Sequence, residues 1–66
     1  MNLGENIKIF RERLKISQRE LANLLQCSQV TISFIEKGTR HPSYEMLQRI
    51  ATLAKEKRIK IDLLEG

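Results

Sequence analysis

Ser17 and Ser28 both read as helix N-caps, and the short span between them holds a helix of only about two turns. Ser17-Gln18-Arg19-Glu20 has the capping-box pattern, in which serine hydroxyl and glutamate carboxylate each accept a backbone N–H. Leu21, Ala22, Leu24 and Leu25 follow at once, and Gln26-Cys27-Ser28 breaks the pattern. From Gln29, at about 100° per residue, Thr31, Ile32 and Ile35 fall on one side of a second short helix. Gln29, Val30, Ser33, Phe34 and Lys37 fall on the other. Gly38 ends this helix, as a left-handed residue would. Helices this short depend on tertiary contacts, so others must brace the pair.

The flanking sequence supplies the braces. Leu3, Ile7, Phe10 and Leu14 are spaced by four, three and four, which makes one helix stripe. Thr39-Arg40-His41-Pro42 reads as a loop, and Ser43 caps a fourth helix with Glu45 in its first turn. Leu47, Ile50, Ala51 and Ala54 are expected to form its buried stripe, flanked by Met46 and Leu53. Lys55 and Lys57 sit at its end, where the helix dipole favours cations. The expected fold is all-α, a compact bundle of four core helices with the two short ones as helices 2 and 3. The tail Arg58-Ile59-Lys60-Ile61-Asp62-Leu63 alternates polar and apolar with strand period. Two readings stand for it: a strand pairing with a second chain, or a short fifth helix using Ile59, Leu63 and Leu64.

Composition excludes several classes. With 66 residues the chain reads as one domain over 1–66, burying about 60% of its unfolded surface. It is 41% apolar and 30% charged, as a folded soluble domain is. A net charge of +4 and a pI of about 9.6 suit a polyanionic partner. One cysteine allows no internal disulfide, and Cys27 with His41 falls short of the four ligands of a structural zinc site. No apolar run exceeds two residues, so no membrane span is expected, and the N-terminus has no signal-peptide core. The expected setting is the reducing cytoplasm. No nucleophile–base set stands out, so no enzyme, no cofactor and no small-molecule ligand is expected.

Two short helices joined by a tight turn and braced on both sides make a helix-turn-helix, whose second helix fits the DNA major groove. The stretch SQRELANLLQCSQVTISFIEKGTRHPSYEMLQRIA resembles the XRE-type helix-turn-helix family of phage repressors and Cro proteins. It matches the pattern S-Q-x-x-L-A-x-x-x-x-x-S-x-x-x-I-x-x-I-E-x-G-x-R-x-P-S-x-x-x-L-x-x-I-A at every fixed position. With the helix before it, the likeness covers residues 3–54 and leaves 55–66 as a tail with a role in dimerisation. The resemblance implies a homodimer that binds double-stranded DNA at a near-palindromic operator and represses transcription. It implies that Gln29, Val30, Ser33 and Phe34 face the bases. It places Gln18, Ser28, Lys37, Arg40 and Tyr44 against phosphates, with the third helix as a second neighbour of Gln18. It pairs Arg11 with Glu36 as a structural ion pair.

Some positions have competing readings. Phe34 carries a residue type less usual there in the family; thymine methyls suit it, and the core rim is its other place. Cys27 is expected as a buried, inert thiol and His41 as a solvated or phosphate-near side chain. The basic run Lys55 to Lys60 is expected to be a solvated helix end. Lys15 and Gln26 stand where the family commonly has glycine, at helix ends that are often left-handed. A reading from another class is a protein-interaction adaptor, such as an antitoxin or co-regulator, using the Val30 and Phe34 face.

Overall fold

The computed structural model describes residues 2–63. Four helices form: α1 Leu3–Arg13, α2 Gln18–Leu25, α3 Gln29–Lys37 and α4 Tyr44–Lys57. Each begins at a side-chain cap that satisfies a backbone N–H otherwise left without a partner. Asn2 accepts from the Glu5 N–H, Ser28 from Thr31 and Ser43 from Met46. At α2 both bonds of the capping box are present at 3.0 Å, Glu20 N–H to Ser17 Oγ and Ser17 N–H to Glu20 Oε1.

The helices also end alike. A left-handed residue stands at each terminus: Lys15, Gln26, Gly38 and Arg58. The N–H that follows it donates to a carbonyl five residues back, the Schellman closure. These bonds run from Ile16 to Arg11, Cys27 to Ala22, Thr39 to Phe34 and Ile59 to Ala54. Only one of the four uses glycine; each of the others costs about 1 kcal/mol in backbone strain. Ile16, Cys27 and Ile59, the residues after the three non-glycine ones, pack half-buried against the core and anchor those turns. Cys27 is thus half-buried rather than fully buried, and burial pushes its thiol pKa up against the opposing charge of Arg49.

The core comprises Leu3, Ile7 and Phe10 of α1, Leu21, Ala22 and Leu25 of α2, Ile32 and Ile35 of α3, and Met46, Ile50 and Ala54 of α4. α3 packs against both α1 and α2, and α4 against α2. Gly4 is buried where α1 meets the last turn of α3. The expected stripe of α4 is corrected in phase. Met46 is buried, Leu47 and Leu53 are half-buried, and Ala51 is exposed. With Ile50 at the centre of the buried arc, Met46 and Ala54 lie about 40° to either side, Leu47 and Leu53 about 60°, and Ala51 about 100° away.

The tail is corrected too. No helix forms over 59–63, because left-handed Arg58 closes α4. Leu64, which the fifth-helix reading also used, lies outside the described residues. Ile59, Ile61 and Leu63 are half-buried while Lys60 and Asp62 are exposed, so the alternation is real. A second chain is not needed to cover the apolar side, which packs on this chain's own core. Asn6 on α1 holds the segment by donating its Nδ2 to the Asp62 carbonyl at 3.1 Å.

Candidate nucleic-acid interface

α3 has nine residues and a length of about 13 Å, comparable to the width of about 12 Å of a B-DNA major groove. Ile32 and Ile35 anchor it in the core. On its outer side Gln29, Val30, Phe34 and Lys37 are exposed and Ser33 is half-buried, all on one face by helical spacing. Val30 is 61% exposed and Phe34 44%, so Phe34 leaves the core rim and stands in solvent. A surface valine and phenylalanine one turn apart are costly to hydrate unless something covers them.

The start of α3 is more organised than its sequence suggests. The Ser28 hydroxyl accepts from the Thr31 N–H at 3.1 Å and lies 2.8 Å from the Thr31 hydroxyl. With Thr31 donating, Ser28 keeps its own proton for an outside acceptor. Thr31 was not among the expected site residues, and the Ser-x-x-Thr spacing is the signal that points to it. At the other end Gly38, φ 82°, turns the chain into the loop that carries Arg40. The Phe34 carbonyl gathers the N–H groups of Thr39 and Arg40 and the Thr39 hydroxyl. This fixes the loop backbone while Arg40 itself stays exposed. Tyr44, at the start of α4, is exposed and accepts from Gln48 Nε2 at 3.0 Å, which leaves its hydroxyl proton to donate.

Behind this face lies a polar node. Arg11 Nε is 2.7 Å from Glu36 Oε2, and a second guanidinium nitrogen reaches Glu36 Oε1 at 3.2 Å. Arg11 also donates to the Ile16 carbonyl at 2.9 Å. Gln18 Nε2 donates to Glu36 Oε1 at 3.0 Å. One carboxylate thus joins α1, α2 and α3. Its hydrogen bond to Arg11 holds the guanidinium above its ordinary pKa, with burial working the other way. Gln18 is half-buried and has one amide N–H in this node, so it faces the third helix more than solvent. Arg49 of α4 adds a bond to the Leu25 carbonyl at 3.0 Å, which supports the end of α2 just before the turn.

Residues 7–59 match the Helix-turn-helix family. The chain belongs to the XRE-type helix-turn-helix family. The match starts later and runs further than the sequence likeness over 3–54, taking in all of α4 and Ile59. An XRE-type helix-turn-helix protein is a DNA-binding regulator. No curated protein and no solved structure matches this one. No helix among the described residues is long and apolar enough to cross a membrane.

Proposed function

We propose that this XRE-type protein is a homodimeric repressor in the cytoplasm that reads a near-palindromic operator. The observation that carries the reading is the outer face of α3, which combines the Gln29 amide, the Ser33 hydroxyl, the Lys37 cation and two apolar side chains on one core-anchored helix. Gln29 at the first turn offers the bidentate amide that pairs with adenine. Val30 and Phe34 cover thymine methyls, and Ser33 takes a hydrogen bond between them. Around the face, Ser28, Lys37, Arg40, Tyr44 and the rest of the Gln18 amide hold phosphates and set the register. Two copies place their α3 helices in successive major grooves, about 34 Å apart.

Base readers and phosphate holders fail differently when removed, and that difference is the test. Arg40→Ala is expected to weaken binding to all sequences about equally and to lower the salt slope by about one. Gln29→Ala is expected to cost about 1–3 kcal/mol, at one base position of each half-site only. Titrations of both variants against an operator series carrying single base changes read this directly. A Gln29→Ala loss spread evenly over all sequences would remove Gln29 from the readers.

The exposure of Val30 and Phe34 also favours a second reading, in which the face docks another protein. Salt separates the two. Phosphate binding falls steeply as salt rises, while apolar docking does not.

A further inference from the structure

The Thr31 hydroxyl has an unusual partner. A threonine inside a helix ordinarily returns its hydroxyl to the carbonyl three or four residues back. Thr31 instead sets its Oγ1 2.8 Å from the Ser28 Oγ. The cap of α3 does not need this contact, because the Ser28 Oγ already accepts the Thr31 N–H at 3.1 Å. The other caps manage without it. Asn2 and Ser43 take an N–H alone, and Ser17 pairs with Glu20 in a capping box. Thr31 stands where that box has its glutamate, so a neutral hydroxyl takes the place of a carboxylate. Among the described residues, α3 is the one helix with no acidic residue in its first turn. A carboxylate there would repel an approaching phosphate, and a hydroxyl does not.

A count of protons decides what the pair offers. Two hydroxyls bring two protons, and their mutual hydrogen bond consumes one. With Thr31 as the donor, both Ser28 lone pairs are filled, one by the Thr31 N–H and one by the Thr31 O–H. The Ser28 hydroxyl can then only donate, and a phosphate oxygen only accepts. With Ser28 as the donor, the spare proton sits on Thr31, which is half-buried, while Ser28 is exposed. An anion arriving from solvent meets Ser28 first and selects the first arrangement. Hydrogen bonds in series also strengthen one another. We propose that Thr31 is a positioning residue for DNA binding, donating to Ser28 so that the Ser28 proton is turned to a backbone phosphate. This role rests on the reading of Ser28 as a phosphate holder and adds the residue that gives its hydroxyl the right polarity.

Titration of the full chain against a mixed-sequence DNA duplex at low salt reads the phosphate contacts, since these are blind to sequence. Thr31→Val keeps the size of the side chain and the N–H bond to Ser28 but loses the hydroxyl. It is expected to weaken binding about fivefold. Thr31→Ser restores the donor and is expected to bind within about twofold of wild type. Ser28→Gly keeps most of the capping preference and is expected to weaken binding about tenfold. The double variant Thr31→Val/Ser28→Gly is expected to bind no more weakly than Ser28→Gly alone, because Thr31 acts through the Ser28 hydroxyl. Three results each overturn the positioning role and leave Ser28 as a phosphate holder: wild-type affinity in Thr31→Val, a loss that Thr31→Ser does not restore, and a loss that adds in full to that of Ser28→Gly. Wild-type affinity in Ser28→Gly overturns the phosphate role of Ser28 and the role of Thr31 together.

Discussion

Replacing Gly4 by alanine is expected to cost the fold about 3 kcal/mol, although the substitution improves helix propensity. A Cβ at Gly4 would overlap the Ile35 carbonyl oxygen and come within 3.2 Å of the Glu36 carbonyl oxygen. Both are backbone atoms, held by the last turn of α3 and by the core side chain of Ile35. Neither can rotate away as a side chain would. The relief has to come from α1, which would lift Leu3 and Ile7 out of a core where they are almost fully buried. Overpacking of this kind typically costs about 1–3 kcal/mol and sometimes more. Exchanging glycine for alanine inside a helix, taken alone, gains about 0.5–1 kcal/mol. The two effects have opposite signs, so the urea midpoint decides between them. A fall is expected, and in a domain of this size it brings the protein close to unfolding at room temperature. A rise would mean that α1 does not approach α3 this closely.

The second large effect is expected at the node behind the interface. Arg11→Met should destabilise by about 2–3 kcal/mol, between the cost of breaking a surface pair and that of leaving one member of a buried ion pair without its counter-charge, because this pair is part-buried. The Glu36 side chain is only 4% exposed and that of Arg11 14%, so water replaces the lost partner poorly. Gln18 would remain as the single neutral donor to the carboxylate, and the Ile16 carbonyl would lose its donor as well. Arg11→Met/Glu36→Leu removes both charges and is expected to recover most of the loss, since an apolar pair of similar volume often matches a buried ion pair. Denaturant melts of the two single variants and the double variant make the cycle. A single-variant cost below about 1 kcal/mol would place the pair among screened surface pairs. Glu36 sits on α3 between Phe34 and Lys37, so the node also sets the angle at which the outer face of α3 is presented.

How far the sequence carries depends on whether a feature is local. A cap is a bond between residues three apart, which is why Ser17, Ser28 and Ser43 mark the starts of three helices. The outer face of α3 follows from helical geometry alone, since Ile32 and Ile35 leave Val30 and Phe34 only the opposite side. Lys15 and Gln26 can be suspected of a left-handed conformation from the family pattern, and both have it. Arg58 has it too, with neither a glycine nor a pattern to mark the place. The phase of α4 is harder, because Leu47, Ile50, Ala51 and Ala54 make a plausible stripe until the fold shows Met46 buried and Ala51 exposed. The Gly4 contact, the Gln18 bond to Glu36 and the Asn6 bond to the tail all join residues far apart in the chain. Periodicity holds no record of such contacts. The tail shows the limit most clearly: its alternation is correct, but only the folded chain reveals that its apolar side is covered from within.

The measurement that bears most directly on sequence-specific reading is a selection from random duplex DNA. The purified protein is mixed with random-sequence duplexes at near-physiological salt, and the bound fraction is recovered and sequenced. A two-fold symmetric motif is expected, with half-sites about one helical turn apart. Thymine and adenine are expected where Val30, Phe34 and Gln29 reach the bases. Recovery of no motif, with bound sequences as random as the input, would contradict a reader of DNA and leave the Val30 and Phe34 face to a protein partner.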